Sequence, residues 1–274
     1  MSLRTNTLRF SRTPLLIKVI VGVIAIASLA APMNFLLISP GPVTKLFPKV
    51  LSINTADNVR AYPVHGQLNL LTIYVTNPET KVFGVEVLGC WIQGDCVVLP
   101  RSVMYIKGTT DVQESKSGYR DMVKSQSTAL KAAVNAIGRN FPDVNLAGVS
   151  DASIKVSLKN TGGPSGGLVF TLGLIDLLTP QDILQGRNIA GTGTIAADGT
   201  IGAIGGVTEK IIGARKAGAS ILFISTQNCQ QLPKQVGGIS VIAIEKIDQA
   251  IKYLMAPDKA FDSAGIHGCA SVGA

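Results

Sequence analysis

Histidine is almost absent from this chain of 274 residues: His65 and His267 are the only two. The four cysteines, Cys90, Cys96, Cys229 and Cys269, include no C-x-x-C pair. That inventory supplies no zinc ligand set of the usual spacing, and no metal or other cofactor is expected. No G-x-x-x-x-G-K-[ST] segment occurs, so nothing in the chain points to ATP hydrolysis. Aromatic residues make up only 5% and charged residues 15%, and no basic stripe with interleaved aromatics is found. Nucleic acid is therefore not an expected partner despite the net charge of +8. Internal repeats and low-complexity tracts are also missing. What remains is an aliphatic, small-residue-rich composition, 46% hydrophobic, long enough to build a core without metal or disulfides.

Charge is also missing from Val19 to Ile38. Twenty uncharged residues in a helix span about 30 Å, the thickness of a bilayer's hydrocarbon layer. The run is read as a transmembrane helix over 19–38, closed by Pro40-Gly41-Pro42. Arg4, Arg9, Arg12 and Lys18 precede the first acid, Asp57, which assigns residues 1–18 to the cytoplasm and the remainder to its far side. A cleaved leader is the alternative, with Ser28, Ala30 and Ala31 near its end. The anchor is preferred because the run continues through Phe35-Leu36-Leu37-Ile38. An exported chain with an even number of cysteines invites disulfides, and sequence proximity suggests Cys90–Cys96 and Cys229–Cys269.

Residues 43–120 read as β-rich, with strands at 70–76, Val82–Val87 and Cys96–Leu99. Met122, Ala129, Ala133 and Ile137 share a helical face ending at Gly138, and a loop follows to residue 149. The alternation of Ile154 to Lys159 predicts a strand, and Leu168 to Leu178 a buried helix. Asp198-Gly199 marks a hairpin between 188–195 and 200–204. Helices are expected over 208–216 and 247–254, and strands over 221–224 and 239–243. Residues 257–274 read as a tail. The fold class is mixed α/β.

Two glycine turns carry the candidate chemistry. In Gly163-Pro164-Ser165-Gly166-Gly167 the glycines permit unusual backbone angles and Pro164 fixes one dihedral. Ser165 is thus presented at a strand-to-helix transition. Unpaired N–H groups there could stabilise an oxyanion, which makes Gly163 to Gly166 the candidate hole. A serine hydroxyl needs a base. Gly163 to Gly167 fits G-x-S-x-G, and a Ser-Asp-His set could use Asp176 or Asp198 with His267. The other base is Lys210, early in its helix after Gly205-Gly206 and among apolar neighbours that favour a neutral amine. Thr192 and Thr194 precede it and could orient the amine.

Thr161 to Gly167 resembles the nucleophile motif of the Lon protease proteolytic domain. Gly191-Thr192-Gly193-Thr194-Ile195, Asp198-Gly199 and Ile204 to Lys210 resemble that family's lysine-bearing segment, in the same order and spacing. Met122 to Ala129 resembles the linker helix of bacterial membrane-anchored PDZ–Lon proteins, as does a membrane segment ending in Ser39-Pro40-Gly41-Pro42. A PDZ domain itself finds no room between that helix and the strand before Ser165. The resemblance covers about residues 150–256. It implies an α/β Lon fold and a serine endopeptidase acting on polypeptides, with Ser165 as nucleophile, Lys210 as base and Thr192 supporting the amine. It also implies hexameric rings. A non-catalytic Lon-fold scaffold at the membrane is the alternative.

Overall fold

The computed structural model describes residues 14–54, 59–158, 161–256 and 265–269. Arg4, Arg9, Arg12 and most of the expected tail lie outside these. The first helix, α1, spans Leu15–Ala30, and all of its side chains are exposed. Its 16 residues reach about 24 Å at 1.5 Å per residue. Among the described residues no helix is long and apolar enough to cross a membrane. The expectation of one helix over 19–38 is corrected here. Ala31 is extended, as a residue before proline should be. The rest of the apolar run forms two strands, β1 (Pro32–Met33) and β2 (Phe35–Pro40). In β2, Leu36 and Ile38 alternate into the interior.

Strands β3 (Thr44–Lys45), β4 (Leu51–Ile53), β5 (Gln67–Leu70), β6 (Ile73–Val75) and β7 (Val82–Phe83) follow. The strand expected over Val82–Val87 stops after Phe83, and helix α2 runs over Gly84–Gln93. The Glu86 carboxylate accepts the Phe83 N–H at 2.7 Å and so caps the new helix. Next come β8 (Val97–Pro100) and the long helix α3 (Asp111–Asn140). The latter starts well before Met122 because Thr110 and Gln113 form a reciprocal cap. Its buried face carries Met122, Ala129, Ala133 and Ile137, as the spacing predicts. The chain then forms β9 (Ile154–Val156), α4 (Gly167–Leu178), β10 (Asn188–Gly191), β11 (Thr194–Ile195) and β12 (Ile201–Gly202). It ends with α5 (Val207–Lys216), β13 (Ile221–Ser225), β14 (Ser240–Ile244), α6 (Ile247–Met255) and β15 (Gly265–His267).

The main sheet has the order β15-β14-β13-β10-β5-β3, parallel except for β3. Its strands alternate between two apolar layers. Ile189, Ile221, Phe223 and Ile242 face a core shared with α3, α4 and α6. Ala190, Leu222, Ile224 and Val241 face Val207, Ile211 and Ala214 of α5. Helix α4 lies between α3 and the sheet and is buried at every position, which explains a sequence with no polar stripe. A smaller antiparallel sheet, β6-β2-β8, packs beside α5. The tail expected over 257–274 contains a strand instead, since β15 extends the main sheet. Both proposed disulfides are present, Cys90–Cys96 and Cys229–Cys269. The second ties the stretch after β15 to the one after β13.

One acid is buried in this core. Asp176 on α4 accepts the Ile183 N–H through Oδ1 at 3.0 Å, while Oδ2 has no hydrogen-bond partner among the described residues. Burial pushes its carboxyl up to about 6. The folded protein thus holds this proton more tightly than the unfolded chain. Its stabilising contribution is complete below the ordinary carboxyl value of about 3.9 and is lost as pH rises through about 6. Asp176→Asn is expected to be more stable than the native protein at pH 8, by on the order of 1–3 kcal/mol, and equal to it near pH 4. Urea unfolding at the two pH values measures the difference.

Candidate active site

The serine turn is built by close backbone approach. Gly162 lies against the backbone of Gly118 on α3, and the Gly163 N–H donates to the Gly118 carbonyl at 2.8 Å. Gly163 has φ of +88°, a left-handed angle that favours glycine. Ser125, on the buried face of α3, donates its hydroxyl to the Pro164 carbonyl at 3.0 Å. A methyl group at Gly166 would press on Leu70 Cδ1, and one at Gly167 on Ile195 Cγ2. Gly166 thus serves by its small size rather than by an unusual φ. The Ser165 carbonyl accepts from Gly193 N–H at 2.9 Å and from Thr192 Oγ1 at 3.3 Å. Serine turn and hairpin entry are thereby locked together, with the Ser165 side chain half-buried.

Hydrogen bonding narrows the set of N–H groups free to bind an oxyanion. Gly163 donates to Gly118, Gly167 to Pro164 and Leu168 to Gly193. Pro164 has no N–H. Among the described residues the N–H groups of Ser165 and Gly166 find no acceptor. Gly163, a candidate from sequence, is therefore occupied, and its role is to shape the turn.

The lysine turn is held by Asn228, whose side-chain amide accepts from Ile204 N–H at 3.1 Å and donates to the Ile204 carbonyl at 2.8 Å. Gly206 follows in a left-handed conformation with φ of +67° and begins α5. Lys210 then falls in the first buried turn and is only 3% exposed. Burial lowers its amine to about 8, against the opposing pull of the neighbouring Glu209 carboxylate. Glu209 is itself 3% exposed, and burial raises its carboxyl. Its Oε1 has no hydrogen-bond partner among the described residues. Asn228→Ala would strand both backbone groups of Ile204 away from water. A loss of about 2–4 kcal/mol is expected, together with reduced activity from a misplaced Lys210. Thermal unfolding and peptide-cleavage assays measure the two losses.

The two turns border the same short stretch. Gly166 abuts Leu70, and Gly206 abuts Ile73. No hydrogen bond joins Ser165 Oγ to Lys210 Nζ among the described residues, nor Thr192 Oγ1 to that amine. The Ser-Asp-His set is not assembled. Gly191, Phe223, Ile242 and His267 occupy one register across four strands. At about 4.8 Å per strand, His267 lies some 14 Å from the hairpin entry. Asp198 is taken by Lys246 at 2.7 Å and by Thr200, and Asp176 lies inside the core.

Sequence reasoning gave no role to Ser125, Gly118 or Asn228. Ser125 was detectable as a polar residue on the helical face of Met122 and Ala129. Gly118 and Asn228 had no local signal, because both act on turns remote in sequence.

A serine presented just ahead of α4 and a buried lysine in the first turn of α5 are the groups that serine hydrolase chemistry calls for. Residues 103–257 match the family model of the Lon protease (S16) C-terminal proteolytic domain, more than half of the chain. The protein belongs to this family. It is thus a serine peptidase by class, with polypeptides as substrates.

Proposed function

We propose that this protein is a membrane-attached serine endopeptidase that cleaves peptide bonds without ATP, through Ser165 and Lys210. The observation that carries the reading is the burial of Lys210. An amine that loses its proton at about 8 is neutral often enough near physiological pH to act as a base. The shared border at Leu70 and Ile73 supports convergence of the two turns.

In this mechanism Ser165 Oγ attacks the scissile carbonyl carbon while Lys210 Nζ takes its proton. The N–H groups of Ser165 and Gly166 receive the oxyanion. Collapse breaks the C–N bond, and Lys210 returns the proton to the leaving amine. Water, activated by the same amine, then hydrolyses the acyl-enzyme. Gly163 and Pro164 shape the turn. Thr192 holds it through the Ser165 carbonyl and keeps lone pairs for the lysine amine. Substrate binding brings Oγ and Nζ into contact, as catalytic hydrogen bonds often tighten only in the Michaelis complex. A ring of six copies is the assembly that the family resemblance implies.

The membrane segment in this reading is α1, exposed along its length and apolar except at Lys18 and Ser28. The two disulfides support a catalytic domain beyond the cytoplasm, because such bonds persist in oxidising compartments. The test uses casein and a peptide library without nucleotide. Ser165→Ala and Lys210→Ala should each abolish cleavage, and His267→Ala should leave it intact. Cleavage surviving both of the first two changes rules out the dyad, and a native protein that cleaves nothing favours the scaffold. Digestion of the domain by protease added outside intact cells tests its location.

A further inference from the structure

Helix α2 presents an exposed apolar face. Cys90 and Gly84 are its buried residues, and Glu86 lies on a different arc from the exposed apolar ones. Val85, Leu88 and Ile92 follow one another at three- and four-residue spacing on the outward side, flanked by Trp91. Trp91 is 78% exposed and Ile92 72%. An exposed apolar cluster of this kind marks an interaction surface.

The position of α2 supplies the occupant. Strand β1, which leaves the end of α1, pairs with β7, which leads directly into α2. The Gly84 N–H donates to the Ala31 carbonyl at 3.3 Å. A side chain at Gly84 would collide with the Ser28 carbonyl of α1. The start of α2 is thus fixed at the end of α1, whose entire surface is exposed. The Cys90–Cys96 bond closes its far end.

We propose that α2 lies in the lipid–water interface beside α1, with Val85, Leu88, Trp91 and Ile92 immersed at the boundary of headgroups and acyl chains. This rests on the attachment of α1 to the membrane. An interfacial helix of this kind buries one apolar face in the headgroup region, and tryptophan is favoured at that depth. Two adjacent contacts hold a domain in one orientation, whereas a single helix leaves it free to swivel. The catalytic domain would therefore present a constant face to the bilayer.

Trp91 is the only tryptophan in the chain, so its fluorescence reports this face alone. The full chain is reconstituted in vesicles of phosphatidylcholine and phosphatidylglycerol, with and without bromine on the acyl chains. The expected result is co-flotation with the vesicles, blue-shifted emission, quenching by brominated lipid and protection from aqueous iodide. Leu88→Glu with Ile92→Glu should still float through α1 and still cleave soluble peptides, but lose the lipid quenching. Flotation with water-like, iodide-quenched emission overturns the proposal while leaving α1 attached. Blue-shifted emission that brominated lipid does not quench also overturns it and assigns the face to a second protein copy. Failure to float overturns both this proposal and attachment through α1.

Discussion

Lys210→Met is expected to abolish peptide hydrolysis and, at the same time, to make the folded protein more stable. Burial holds this amine at about 8, against about 10.4 in the unfolded chain. The folded state therefore binds this proton less tightly. Below pH 8 the charged amine is held in the interior at a cost, and that cost is relieved as pH rises from about 8 towards about 10.4. Each tenfold change in proton affinity is worth about 1.4 kcal/mol, so the cost near pH 7 is on the order of 3 kcal/mol. Methionine fills similar space with no charge to desolvate. The variant should melt several degrees higher at pH 7, and its advantage should vanish by about pH 10. Removing a general base costs about 100- to 10,000-fold in rate. The native kcat/KM should climb with pH through about 8 and then level off. Glu209→Gln should shift that climb to lower pH, because the Glu209 charge favours the protonated lysine. A Met variant that is both inactive and less stable than the native protein would contradict this account.

The serine turn and the segment from Thr192 to Lys210 were legible in the sequence because their signals are local. Glycine, proline and a small nucleophile sit next to an apolar helix in one case, and a turn signal separates two strands in the other. Helices α4, α5 and α6 and strands β13 and β14 follow from the same kind of pattern. The run from Val19 to Ile38 shows where locality fails. Its hydropathy is uniform, yet Leu15 to Ala30 is helical and Phe35 to Pro40 pairs with β6 and β8. Apolarity states that a segment avoids water and not which partner shields it. Pro32 marks the division, because it holds Ala31 in an extended conformation that ends the helix.

Residues 82–87 misled for a related reason. Valines at 82, 85 and 87 favour a strand locally, while the Glu86 cap at one end and the left-handed Gly94 at the other frame a helix. The roles of Asn228, Gly118 and Ser125 are tertiary, as each makes its key bond to a backbone group far away in sequence. For the same reason the sequence offered Gly163 as an oxyanion donor, when the N–H in question is spent on α3.

Gly205 and Gly206 look equivalent in the sequence, and Gly206→Val is expected to be the most damaging single change in the lysine turn. Space around Gly205 is open, with no atom within 4 Å of an added methyl group. Gly206 has φ of +67°, and its methyl group would meet Ile73 Cγ2 at 2.8 Å. A left-handed angle costs an ordinary residue about 1–2 kcal/mol, and a β-branched one more. Ile73 adds to that cost because it belongs to β6, whose register is fixed by pairing with β2. The strain is relieved only by rotating the start of α5, and Lys210 moves with it. Gly206→Val should therefore lose on the order of 3 kcal/mol or more of stability and at least about 100-fold in kcat/KM, since small misplacements of a catalytic group carry such penalties. Gly205→Ala should fold with stability within about 1 kcal/mol of the native protein. Thermal unfolding and kcat/KM measured on both variants decide the matter. Equal losses at the two positions would mean that backbone conformation at Gly206 does not position the lysine.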